Sequence, residues 1–242
     1  MFERWRSRKA GEDAESVRQA RDHWRHIAML DERAPFPELR FSVVDTETTG
    51  LDPKRADLLS IGTCRVEHGA IAIADSIEIA VRPAVPSGHD NVLVHGIGHA
   101  QQAAGGTKAE ALATWLVAAT PAVLVGYHAL FDATVLARAA RESLDIRLPL
   151  DWLDVALLLP ALATDPAAPI QVHPLDHWLD RLDIAIPGRH GAAADAYATA
   201  QLLLVALHRA EARGIHDIRG LRRLQHDMLT KLANSHHGST GA

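Results

Sequence analysis

Three strand-like segments stand in succession early in this chain, and the alternation of helix and strand patterns after them narrows the folds open to it. Phe41-Ser42-Val43-Val44 is a short apolar run that ends at Asp45 and reads as a buried strand. Leu58 to Glu67 and Ala70 to Val81 read as two more strands, joined by a turn at His68-Gly69. After a loop-rich stretch from Pro83 to Gly106, the alternation begins. The periodicity predicts a helix over Glu110 to Ala119, a strand over Ala122 to Val125 and a helix over Asp132 to Glu142. Leu150 to Leu158 fits a strand running into a helix, and its period does not decide the boundary. A short helix over Pro174 to Leu182 and a long one over Ala193 to Ala212 complete the series. Strands in sequence followed by this alternation predict an α/β fold, with a mixed sheet flanked by helices.

The two ends differ from this middle. Within residues 1–40, Val17, Ala20, Trp24 and Ile27 recur at helical spacing, and Ala34-Pro35-Phe36-Pro37 ends the pattern. Ile218, Leu221, Leu224, Met228 and Leu232 mark a last amphipathic helix, and the polar stretch from Asn234 to Ala242 reads as a disordered tail. The expected organisation is therefore a helical extension over 1–40, a central domain over 41–208, and a C-terminal helix with its tail over 209–242. Of the net charge of -5, the central domain holds ten Lys/Arg against 19 Asp/Glu, while both ends are slightly basic. That acidity argues against holding nucleic acid by bulk charge alone.

A single cysteine, Cys64, rules out an internal disulfide and is placed like a buried strand residue, so a cytoplasmic setting is expected. No apolar stretch follows the basic Met1 to Lys9, so it does not read as a secretory signal. The uncharged run from Ala111 to Tyr127 approaches membrane-span length. It is interrupted by Thr114, Thr120, Pro121 and Gly126, and divides better into a buried helix, a turn and a strand. No membrane partner is expected.

The chemistry concentrates in three places. The first is Asp45-Thr46-Glu47-Thr48-Thr49-Gly50, where an apolar strand delivers Asp45 to its end. Residues i and i+2 of an extended segment share a side, so Asp45 and Glu47 can converge. Two such carboxylates need protons or a cation, and hard ions such as Mg²⁺ and Mn²⁺ take oxygen ligands. Read alone, the motif is better taken as a strand end closed by an Asx-type turn with Asp45 as a cap, since turns recruit Asp and Thr routinely. The second place is Asp132, after the run Val125-Gly126-Tyr127-His128-Ala129-Leu130-Phe131; alone it reads as a helix N-terminal acid. The third is His190-Gly191-Ala192-Ala193-Ala194-Asp195, alone a loop histidine and a capping acid.

Taken together, Asp45-x-Glu47, Asp132 and His190-x4-Asp195 give four acids and a histidine in a fixed order. This resembles the DEDDh family of 3′–5′ exonucleases, in particular its proofreading epsilon-subunit branch, over about Phe41 to Leu207. Val94-His95-Gly96-Ile97 is similar to that branch's V-H-G-I loop beside the terminal nucleotide. Asp154 stands where the family often has D-x-L-x-L, and Pro174-Leu175-Asp176-His177-Trp178-Leu179 resembles its S-L-D-x-L helix. The resemblance implies a ribonuclease-H-like mixed five-stranded sheet flanked by helices and two divalent ions, Mg or Mn. It implies that Asp45, Glu47 and Asp195 hold one ion, that Asp45 bridges to the second with Asp132, and that His190 is the general base. Thr46, Thr48, His95, Gly96, Ile97, His128 and Phe131 become candidate substrate contacts, Phe131 being equally suited to packing under the Asp132 helix.

The expected activity is removal of nucleoside 5′-monophosphates from a single-stranded 3′ end, DNA before RNA, with a DNA polymerase or another replication or repair protein as partner. A non-catalytic binding module, an RNA-trimming exoribonuclease and an endonuclease on the same fold are the alternatives. The chain departs from the family at His128, where an asparagine is common. A zinc site is set aside. His173 and His177 flank Pro174, His95 and His99 enclose two glycines, and no further ligands accompany either pair.

Overall fold

A computed structural model describes residues 15–83, 104–163, 171–186 and 189–238. Residues 15–25 form helix α1, and a single 3-10 turn at Phe36–Glu38 follows it. The strands are β1 (Arg40–Thr48), β2 (Leu58–Glu67), β3 (Ala70–Ala80), β4 (Val123–Gly126) and β5 (Leu153–Asp154). The remaining helices are α2 (Lys108–Ala119), α3 (Leu130–Leu144), α4 (Val155–Ala161), α5 (Leu175–Arg181), α6 (Ala192–Glu211) and α7 (Ile218–Gly238).

The strands form one five-stranded sheet in the order β3-β2-β1-β4-β5. β1, β2 and β3 make an antiparallel meander, while β4 joins β1, and β5 joins β4, in parallel. This is the expected mixed sheet. Helices cover both faces because β1 and β4 bury both sides of their strands. One apolar core takes Phe41, Val43, Val66, Val125 and Leu153 of the sheet with α4, α5, α6 and α7. The other takes Val44, Leu58, Ile61 and Leu124 with α1, α2 and α3. Cys64 lies in the first core and its thiol accepts from the Ser76 hydroxyl at 3.3 Å.

Several boundaries differ from the sequence expectation. β1 does not stop at Val44; it runs through Thr48, because β2 pairs with its backbone as far as Thr48↔Leu58 whatever the side chains are. Hydrophobicity ends at Asp45 but the ladder does not, and the β-branched Thr46 and Thr48 suit it. Leu150 to Leu158 resolves into two strand residues and a helix, with Asp154 as N-cap accepting the Ala156 N–H at 3.0 Å. α2 starts two residues earlier than the period suggests because Thr107 and Glu110 close a capping box.

The uncharged run over 111–127 divides into α2, a turn and β4, and no helix among the described residues is long and apolar enough to cross a membrane. α7 continues to Gly238, so the start of the expected disordered tail is helical; residues 239–242 lie outside the described residues.

Candidate active site

The site forms where β1 passes between the helix starts of α3 and α6. Asp45 and Glu47 follow Phe41 and Val43 on the same side of β1, the side that α6 covers. Asp45 pairs with Gly62 of β2, which in turn pairs with Glu78 of β3, so a glycine separates two acids across the sheet. That glycine is required. A Cβ at Gly62 would fall 2.1 Å from the Ala192 carbonyl carbon and oxygen and 2.4 Å from the Ala193 nitrogen. The first turn of α6, which carries Asp195, thus rests directly on β2, the strand paired with β1. The buried face of α6 is rich in alanine (Ala192, Ala196, Ala200, Ala206), which keeps the helix close to the sheet along its length.

Asp132 comes from the other side. It sits in the first turn of α3, 4% exposed, and its Oδ1 accepts the Thr46 hydroxyl at 2.6 Å. Thr46 points opposite to Asp45 on the pleat, so β1 holds Asp45 and Glu47 with one face and fastens Asp132 with the other. Thr48, also named as a substrate contact, directs its hydroxyl to the Gly50 carbonyl at 2.8 Å and closes the turn after β1.

These acids lie in surroundings that disfavour charge. Burial first, then the charges of Asp132 and Glu47, push the Asp45 carboxyl well above the usual carboxylate range. Burial, reinforced by Glu78 and Asp132, raises Glu47 to about 8. Burial raises Asp132 to about 7 against the bonds from Thr46. Arg189 opposes the shifts of Asp45 and Glu47. Its guanidinium contacts Oδ1 of Asp195 and donates from Nε and Nη2 to Oδ1 of Asp176 at 3.1 and 2.9 Å.

His190 follows it with φ of 70°, exposed, its backbone N–H donating to the same Asp195 Oδ1 at 3.3 Å. The four acids and the histidine predicted from the sequence all lie among the described residues: Asp132 acts on Asp45 and Glu47, and Arg189, in contact with Asp195, acts on Asp45 and Glu47 as well. The carboxylate oxygens of the acids, three of which (Asp45, Glu47 and Asp132) burial pushes toward the protonated form, are the donor type that suits a hard divalent cation. As they stand, no three His, Cys, Asp or Glu side chains among the described residues close a metal-binding cluster.

The other predicted contacts divide. Phe131 is half-buried against the α1–α3 core, the packing role. His128 is exposed with φ of 56°; its N–H donates to Asp154 Oδ1 at 3.0 Å and its ring meets Tyr127 edge-on at 5.1 Å. His95, Gly96 and Ile97 lie outside the described residues. His173 and His177 stack in parallel at 3.9 Å, an arrangement of ring faces and not of ligand lone pairs.

Sequence reasoning missed two residues, Gly62 and Arg189. A glycine inside a strand pattern signals a close backbone approach, so Gly62 was open to detection. Nothing in the spacing tells that Arg189 reaches across to α5.

The family model described as an exonuclease, RNase_T, matches residues 42–203, which contain every acid of the site and His190. The chain belongs to the RNase_T exonuclease family. Exonucleases of this kind are phosphodiester hydrolases, and the family generally uses divalent metal ions. A DNA polymerase III subunit epsilon-like protein of Rhodobacter capsulatus is 36% identical over 186 residues, 75% of this chain and 25% of that protein. A DNA polymerase III PolC-type of Thermotoga maritima is 23% identical over 199 residues, 82% of this chain and 14% of that protein. This RNase_T chain thus spans a quarter or less of the length of these two relatives.

Among solved structures, exonuclease X in complex with 5′ overhanging duplex DNA aligns with a TM-score of 0.57 at 20% identity, over 76% of this chain and 99% of that one. E. coli exonuclease I in complex with a dT13 oligonucleotide gives 0.61 at 20%, over 72% and 42%. These likenesses bear out the ribonuclease-H-like fold.

Proposed function

We propose that this chain is a metal-dependent 3′–5′ exonuclease that releases nucleoside 5′-monophosphates from single-stranded DNA ends. The observation that supports the reading is the mutual electrostatic influence of Asp45, Glu47 and Asp132, with Arg189 acting on the first two while it contacts Asp195, and the His190 N–H bonded to Asp195. Asp45, Glu47 and Asp195 would hold one divalent ion, and Asp45 with Asp132 a second. When bound, a Mg²⁺ or Mn²⁺ pair supplies a more acidic water and charge stabilisation at the departing 3′ oxygen.

The chain's own residues then have distinct tasks. Thr46 orients Asp132 by its hydrogen bond, and the Gly62 contact seats the first turn of α6, which carries Asp195, on β2. His190, exposed on the loop before α6, accepts the proton of the attacking water as general base. His128, exposed just before α3, serves the terminal nucleotide, while Phe131 packs beneath the Asp132 helix. DNA is favoured over RNA by the names of the polymerase III relatives, which also suggest a polymerase as partner.

Variants test the roles. Asp45→Ala and Asp195→Ala are expected to abolish hydrolysis. His190→Ala should lower the single-turnover rate by roughly 10²–10⁴ while affinity for an oligonucleotide stays within a few-fold. Full activity in Asp45→Ala would place the chemistry elsewhere, and equal rates on RNA and DNA would remove the assignment of DNA.

A further inference from the structure

Arg189 leaves the chain immediately before His190, and acids from two helices bracket its guanidinium. Nε and Nη2 bond to Asp176 of α5, and Nη1 lies against Asp195 of α6. The arginine side chain is only 18% exposed, whereas Asp176 at its outer end is 62% exposed. Oδ1 of Asp195 thus accepts the His190 N–H and lies in ion-pair contact with Nη1 of Arg189. The acid expected to join Asp45 and Glu47 around a cation is the one that Arg189 holds, and the described acids do not close a cluster as they stand.

The geometry points to Arg189 as a tethered counter-cation that holds Asp195 before a divalent ion arrives and yields it, swinging toward Asp176, when the ion binds. The inference rests on reading the acids as a metal site. Four neighbouring acids repel one another once ionised, and a guanidinium offsets one charge where a divalent ion offsets two. Both cations seek the same carboxylate, so they compete. Asp176 makes displacement inexpensive because its two bonds to Arg189 already exist and lie on the solvent side. Arg189 therefore sets the metal affinity below what the acids alone would give, and steadies the start of α6 while no ion is there. Its influence on Asp45 and Glu47 agrees with this placement.

The test is Mn²⁺ binding to the full chain without nucleic acid, by calorimetry, together with the unfolding temperature in chelator. Arg189→Gln is expected to bind Mn²⁺ at least about tenfold more tightly, the effect of removing one close positive charge, and to unfold at a lower temperature in chelator. Arg189→Lys keeps the charge without the fork that bridges two acids, so its affinity should fall between wild type and Arg189→Gln; it carries the test if the glutamine variant does not fold. Asp176→Asn removes the outer anchor, leaves the guanidinium to Asp195 and should weaken Mn²⁺ binding.

An arginine with a merely structural role would lower stability in Arg189→Gln without tightening the metal. Equal or weaker Mn²⁺ binding in both Arg189 variants overturns the inference. Absence of Mn²⁺ binding in wild type and variants alike overturns the metal-site reading itself, which is a different result.

Discussion

Burial decides what the site acids do at neutral pH. Glu47 is raised to about 8 and Asp132 to about 7, each by burial first. Without a cation both therefore keep protons in the folded chain at pH values where the unfolded chain has lost them. The unfolded state then binds fewer protons, so stability must fall as pH rises through this window. The unfolding temperature in chelator should decline from pH 5 to pH 8.5, and Mg²⁺ or Mn²⁺ should flatten or reverse the trend; a rise with pH in chelator would contradict these shifts. Metal binding near pH 7 should also release protons, measurable as buffer-dependent heats. Thr46 offers a second probe. Thr46→Val removes the donor to the buried Asp132, and should cost roughly 1–3 kcal/mol in denaturant unfolding and slow hydrolysis with little change in substrate affinity.

At the scale of elements, the site depends on how closely α6 lies on β2. Gly62→Ala puts a methyl where the Ala192 carbonyl stands, so the helix must lift or the strand must bend. A loss of about 1–3 kcal/mol is expected, with a larger loss of activity, since Asp195 moves with the helix; an active and equally stable Gly62→Ala would contradict the packing.

The same elements show what the sequence could tell. The meander and the long helices were legible because their apolar residues keep a period of two or 3.6 over many residues. The far end of β1 was not, because hydrophobicity stops at Asp45 while the ladder to β2 continues. β5 was ambiguous because two residues carry no period. The acids and His190 were legible through their order and spacing. Arg189 was not, because its role comes from α5, a partner that only folding brings near.

For the whole molecule, the acidic surplus of the central domain gains a place. Asp45, Glu47 and Asp132 act on one another beside Glu78, and divalent ions bound there would change the local sign. The chain should accordingly hold a single strand weakly in chelator and more tightly with Mn²⁺ in an Asp132→Asn variant that cannot complete hydrolysis. The RNase_T match and the site occupy the same residues, 42–203, between a first helix and a last one that pack on opposite sides of the sheet. α7 also touches the domain through Gln225, whose Oε1 accepts the Asp154 N–H at 2.8 Å and whose Nε2 donates to the Trp152 carbonyl at 3.1 Å.

The most direct measurement is the product pattern from a 5′-labelled single strand of DNA incubated with the chain and Mg²⁺ or Mn²⁺. The account predicts a ladder that shortens one nucleotide at a time from the 3′ end, with nucleoside 5′-monophosphates released. An intact strand under both ions, or internal fragments without the ladder, would contradict it.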